Sequence, residues 1–223
     1  MAKSRIIKEL ANNSIALDVA LNRLYVIASD IGNDELQQWA ECELHGYREK
    51  SKLPEYRYAK NTHFKYSGIN GRLQVTDAPL PLLEIMRIDD PTMFYLPISD
   101  GISTIEGIVN KPSHNEFGRD VTWAAGTVYK LSGIQCYSIK QIVPINIFEG
   151  VLNSVKMLLM KIFIKLDKTY GCLDDLDVDT NGISEEEIAE TNTVINKYIY
   201  VDNSISIGDK NRIEGTEVWA GGK

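Results

Sequence analysis

The chain has 223 residues, 43% hydrophobic and 25% charged, a composition that supports a buried core and excludes a disordered or fibrous chain. Net charge is −7, but residues 167–223 hold 13 acidic and 5 basic side chains against 18 and 19 in residues 1–166, so the acidity belongs to the last quarter and the remainder can carry a local basic patch. Cys42, Cys136 and Cys172 are odd in number and far apart, which suits free thiols in a reducing cytoplasm and argues against a disulfide framework or a zinc site.

The N-terminal stretch MAKSRIIKELANN lacks the apolar run of a secretory signal. Residues 4–12 read as a short helix. In residues 14–31, Leu17, Leu21, Leu24, Ala28 and Ile31 recur at three or four residues, which predicts a firmer helix with Ser14 as cap and Gly32 as stop. Asn33 caps a third helix, with Asp34 and Glu35 at its positive end, Leu36, Trp39, Ala40 and Leu44 inward, and Gly46 at its close. Residues 1–46 thus form a helical unit.

From 47 to 143 the pattern changes to a sheet. YRYAKNTHFKYSG alternates and is rich in Tyr, ING turns the chain, and GRLQVTD reads as a second strand. DAPLPLLEIM begins as a loop or edge and becomes a short helix, SDGISTIEGIVN is a helix, and NKPSHNEFGRD is a loop. TVYKLSGIQCYSIKQI reads as one or two further strands. Strand order is not encoded in any of these patterns.

Residues 146–168 predict the longest helix, with an apolar stripe from Val151 to Leu166. Its lysines, Lys156, Lys161 and Lys165, make it a buried spine and not a membrane span. A helix over 184–199 follows, with Ser184 and Glu187 in capping-box register. The tail from 201 to 223 sets Ile205, Ile207, Ile213 and Val218 among turn formers and reads as a small β element. The expected fold is α+β: a helical unit and a long core helix packed on a small mixed or antiparallel sheet. Residues 1–200 are expected as one domain, with 201–223 as an association element.

The block WAECELHGYREKSKLPEYR resembles the AbiTii family of bacterial abortive-infection proteins, in which a helix with a Trp and a terminal Glu-Leu-x-Gly-Tyr precedes Leu-Pro-x-Tyr-Arg. The matching residues are Trp39, Glu43, Leu44, Gly46, Tyr47, Leu53, Pro54, Tyr56 and Arg57. The lead-in helix, the late helix VKMLLMKIFIKLDKTYG and the tail SISIGDKNRI resemble the family in the same order, with Lys156 departing from an expected Arg. The resemblance implies a cytoplasmic phage-defence protein and brings no catalytic motif. On the residues themselves, Glu43 lies one turn after Trp39 on the apolar face, and a half-buried carboxylate needs a partner. Arg57 is the expected one and Arg23 the second. Trp39, Glu43, Gly46, Pro54, Tyr56 and Arg57 then read as a locked helix-to-strand corner.

Three stretches carry candidate chemistry. Asp177, Asp179, Asn181 and Gly182 begin like a calcium loop, but the twelfth position is Ile188 where a bidentate Glu should stand. An acidic turn feeding a capped helix is the alternative, and no metal or cofactor is expected. Arg57 and His63 fit the loose Arg-x(4–6)-His pattern of HEPN ribonucleases, in which His does acid–base work and Arg holds phosphate, so Glu43, Arg57 and His63 are the catalytic candidates. That pattern belongs on a helix, and this stretch reads as a strand. Arg48, Lys50, Lys52, Arg57, Lys60, Lys65 and Arg72 interleave with aromatic residues, the pairing that single-stranded nucleic acid favours; a solvated sheet face explains it equally. The leading expectation is a defence protein acting through self- or partner association by way of residues 201–223. The alternatives are a toxic nuclease and a nucleic-acid sensor using residues 47–72. No membrane partner is expected.

Overall fold

A computed structural model of the chain describes residues 3–49, 53–60, 62–110, 116–174, 178, 180 and 182–200. The α+β class holds. Three helices open the chain: α1 (Arg5–Ala11), α2 (Leu17–Asp30) and α3 (Asp34–His45). Their apolar faces meet the second half of α7 (Ile145–Tyr170) and the inner face of α8 (Glu185–Tyr200) in one core that includes Leu21, Leu24, Leu36, Trp39, Leu159 and Phe163. The 3.6-residue period of these segments is what allows each to bury one stripe. Asn33 caps α3 by accepting the Leu36 N–H at 3.0 Å. Ser4, at the start of α1, gives its N–H to Asp167 of α7 at 3.0 Å, so α1 is tied to the long helix end-on.

Ser14 does not cap α2. The capping position is Ala16, and Ser14 Oγ donates back to Glu9 O at 3.3 Å. The carboxylate in the first turn of α2 is Asp18, which accepts the Val19 N–H at 2.7 Å, and Glu106 lies beside it near Leu17. Arg23 pairs with Glu9 at 3.4 Å, leaving Glu43 to Arg57.

The strand expected over residues 56–68 is divided. Pro54 leads into a 3₁₀ turn (Glu55–Arg57), followed by the two-residue β1 (Tyr58–Ala59) and then β2 (His63–Asn70). Strand β3 (Leu73–Pro79) returns from the Gly71 turn, where φ is +62°. A short helix α4 (Leu82–Met86), strand β4 (Leu96–Pro97) and helix α5 (Ile102–Val109) come next.

Two expectations fail beyond this point. Glu116–Asp120, read as loop, is strand β5. Its residues carry no alternating apolar pattern because it is an edge strand whose order comes from pairing with β6 (Gln135–Pro144). Residues 127–132, read as strand, lie in helix α6 (Ala125–Ser132), which buries Val128 and stops at Gly133 with φ +74°. Tertiary packing overrides propensity there.

The four longer strands are antiparallel in the order β3-β2-β6-β5, and β1 pairs with β4 in a separate two-stranded ribbon. One face of the four-stranded sheet presents Phe64, Tyr66 and Ile139 to a second core with Leu82, Phe94 and Val128. The start of α7 packs Phe148 and Val151 into a third core with Ala59, Ile98 and Ile105. Helix α7 therefore spans two of the three cores. Among the described residues no helix is long and apolar enough to cross a membrane.

Candidate functional site: a buried carboxylate at the helix-to-sheet corner

Helix α3 sets Trp39 and Glu43 one turn apart, so both point to the same side. The helix ends at Gly46, with φ +91° and ψ 162°, a conformation that L side chains rarely adopt. A Cβ there would lie 2.6 Å from Ser99 O. The close approach lets Tyr47 N–H donate to Ser99 O at 2.8 Å, which docks the corner on the segment before α5.

Glu43 is wholly buried and accepts three hydrogen bonds. The hydroxyls of Tyr47 and Tyr56 both donate to Oε1 at 2.6 Å, and an Arg57 Nη donates to Oε2. Trp39 Nε1 donates to the Tyr56 hydroxyl oxygen at 3.2 Å, completing the chain of donors. Arg57 also donates to the carbonyls of Ile98 and Asp100, and its guanidinium carbon sits 5.1 Å from the centre of the Tyr47 ring. Its backbone is held as well: Ile98 N–H donates to Arg57 O at 2.8 Å. Arg57 Nε has no hydrogen-bond partner among the described residues.

The electrostatics follow from burial. Both tyrosine hydroxyls are pushed far up, first by burial and then by the adjacent Glu43 carboxylate, so they remain neutral donors. For Arg57, burial pulls downward and Glu43 more than offsets it, leaving the guanidinium held above its ordinary value. The two side chains are 0% exposed, and each is the other's counter-charge. An ion pair of this kind is costly to break from one side, by about 3–5 kcal/mol.

The catalytic candidates do not converge. Arg57 lies in a 3₁₀ turn with no exposed surface, so no phosphate reaches it, while His63 opens strand β2 at an exposed position opposite Ile142. The Arg-x(4–6)-His pattern is thus not on one helix face. Arg57 also drops out of the basic surface. Of the rest, Arg48, Lys60 and Arg72 are exposed, Lys65 is half-buried, and Lys60 pairs with Glu55. Lys50 and Lys52 lie outside the described residues. Tyr47, Phe64 and Tyr66 face the interior and offer no ring to a base. Asp177, Asp179 and Asn181 lie outside the described residues, and among those described no three His, Cys, Asp or Glu side chains gather as a metal site would require. None of the three cysteines is joined in a disulfide among the described residues; Cys42 and Cys136 are half-buried and Cys172 is exposed.

Sequence reasoning missed Tyr47 as a partner of Glu43, although its position four residues on was a readable signal. It also missed the Ile98 and Asp100 carbonyls, more than 40 residues from Arg57, for which no local signal exists.

The AbiTii family model matches residues 4–194. The chain belongs to the AbiTii family. This AbiTii protein accordingly has an abortive-infection, phage-defence role. No curated protein and no solved structure matches it. The matched span takes in α1 through most of α8, including every residue of the Glu43 corner.

Proposed function

We propose that this AbiTii protein acts in defence by associating with further copies of itself or with a partner protein, and that the Glu43–Arg57 corner is scaffold. The supporting observation is that Glu43 and Arg57 are wholly buried and spend their charges on each other. A group in that state binds no substrate without unfolding its surroundings. In this reading residues 1–200 are one folded unit in the cytoplasm, and 201–223 are the association element. The motive for the tail is its Ile205, Ile207, Ile213, Val218 and Trp219 on a piece too short to build its own core.

The test is a chain ended after residue 199, compared with the full chain by light scattering and by plaque counts on expressing cells. A lower mass together with lost protection supports association. An unchanged mass with full protection removes it. His63→Ala in the full chain is the companion variant. RNA loss in expressing cells that disappears with His63 would replace the association reading with a nuclease.

A further inference from the structure

A cleft of about 200 Å³ opens where the α1–α2 connection, α5 and α7 meet. Leu10, Ile15, Leu17 and Leu152 give it an apolar wall. Two side chains of opposite charge border the same space, Glu106 and Lys156, and Lys156 already reaches the α1–α2 connection at Asn13.

Glu106, on α5, is half-buried and lines the cleft beside Leu17, toward whose N–H its carboxylate lies. Burial and then the neighbouring Asp18 push its carboxyl above the ordinary carboxylate range, with the Leu17 N–H pulling the other way. A carboxylate in that position gains from an arriving cation. Lys156, on α7, donates to Asn13 Oδ1, which engages one of the three donors an ammonium has. Its remaining donors suit an anion. Asn153, one turn before it, is exposed and stands at the rim.

We propose that this cleft binds a small zwitterion with an apolar body, an apolar free α-amino acid, its ammonium against Glu106 and its carboxylate against Lys156. Size agrees. The volume is above the about 150 Å³ that accepts benzene and below the roughly 300 Å³ where drug-sized pockets begin. Charge agrees as well. A ligand bearing only one charge would desolvate the second protein side chain without compensating it. An uncharged apolar ligand would do so to both. The site is separate from the Glu43 corner and does not depend on the association reading.

The experiment is a titration of the isotope-labelled full chain, followed by backbone amide shifts. The probes are L-leucine, isoamylamine (the same body without the carboxylate) and 4-methylpentanoate (without the ammonium). Leucine at millimolar concentration is expected to give saturable shifts confined to residues 10–17, 104–107 and 152–156. The two single-charge probes bind at least roughly tenfold more weakly. Glu106→Gln weakens leucine and isoamylamine and spares 4-methylpentanoate. Asn153→Trp places a ring across the mouth from an exposed helical position, so the chain keeps its fold and melting temperature and loses the leucine response. The proposal is overturned by the absence of saturable shifts with leucine, by equal responses to all three probes, or by a leucine response unchanged in Asn153→Trp.

Discussion

Replacing either member of the buried pair alone, Glu43→Leu or Arg57→Met, strands the other charge in a site with no solvent contact. For Glu43→Leu the stranded group is a guanidinium whose remaining bonds go to the carbonyls of Ile98 and Asp100, and the Tyr47 and Tyr56 hydroxyls lose their shared acceptor. For Arg57→Met the carboxylate keeps both hydroxyls but loses its counter-charge. Each single change is expected to cost about 3–5 kcal/mol. For a chain of this length that is a fall in melting temperature of roughly 6–20 °C. The double variant removes both charges and fills much of their volume, so it falls short of the sum of the singles by at least about 2 kcal/mol. It does not return to wild type, because the two tyrosine hydroxyls and the two carbonyls remain without their partners. The assay is urea unfolding of the four proteins, with the slope checked for constancy so that the midpoints report stability. Singles that each cost under about 1 kcal/mol, or a strictly additive double, would refute the reasoning. A single variant with wild-type stability and no phage protection would do more, and would move Glu43 and Arg57 from scaffold to chemistry.

Gly46→Ala forces a Cβ to 2.6 Å from Ser99 O at a positive φ, and is expected to cost about 1–3 kcal/mol or more, read from the same urea midpoints. Phe163→Ala, in the fully buried stripe of α7, should cost about 3–5 kcal/mol and lower the melting temperature accordingly. Asp167 supplies a pH dependence. Burial raises its carboxyl, while the Ser4 N–H and O–H and then Lys3 more than reverse that and hold it below the ordinary range. A carboxyl depressed in the folded state stabilises above its unfolded pKa, about 4, and that contribution fades as pH falls through the folded value. The stability gap between wild type and Asp167→Asn should therefore be widest near neutrality and narrow in acid, and a gap independent of pH would count against it.

The helical half was legible because its signals are local. Leucine spacing, the Asn33 cap, the stops at Gly32 and Gly46, and the Ser184–Glu187 register each lie within one or two turns of the backbone they govern. The Glu43–Arg57 pair was legible for a different reason: a carboxylate on an apolar helix face demands a cation, and Arg57 closes the same corner block. The sheet half was not. Strand β5 is ordered by a partner 20–28 residues away, and its own side chains say little. Helix α6 carries β-formers but packs as a helix because Val128 and Ala124 fit the second core. The approach of Glu106 to the start of α2 was equally hidden, since it comes from 89 positions along the chain.

The residues on which the family resemblance was read and the residues of the buried corner are largely the same set. Trp39, Glu43, Tyr47, Tyr56 and Arg57 are joined in one hydrogen-bonded chain, and Gly46 permits the approach of Ser99 that closes it. Each of these side chains is fixed by the others' geometry, and the guanidinium ties α3 to the segment before α5 and to the 3₁₀ turn that opens the sheet half. A motif with that physical basis reports how the helical and sheet halves are joined. It is a poor guide to where chemistry happens, because its polar groups are already consumed. Polar groups with bonding capacity to spare lie on surfaces the corner leaves open. In this chain those include the cleft between α1–α2, α5 and α7, whose Glu106 and Lys156 retain bonding capacity that the fold does not use up.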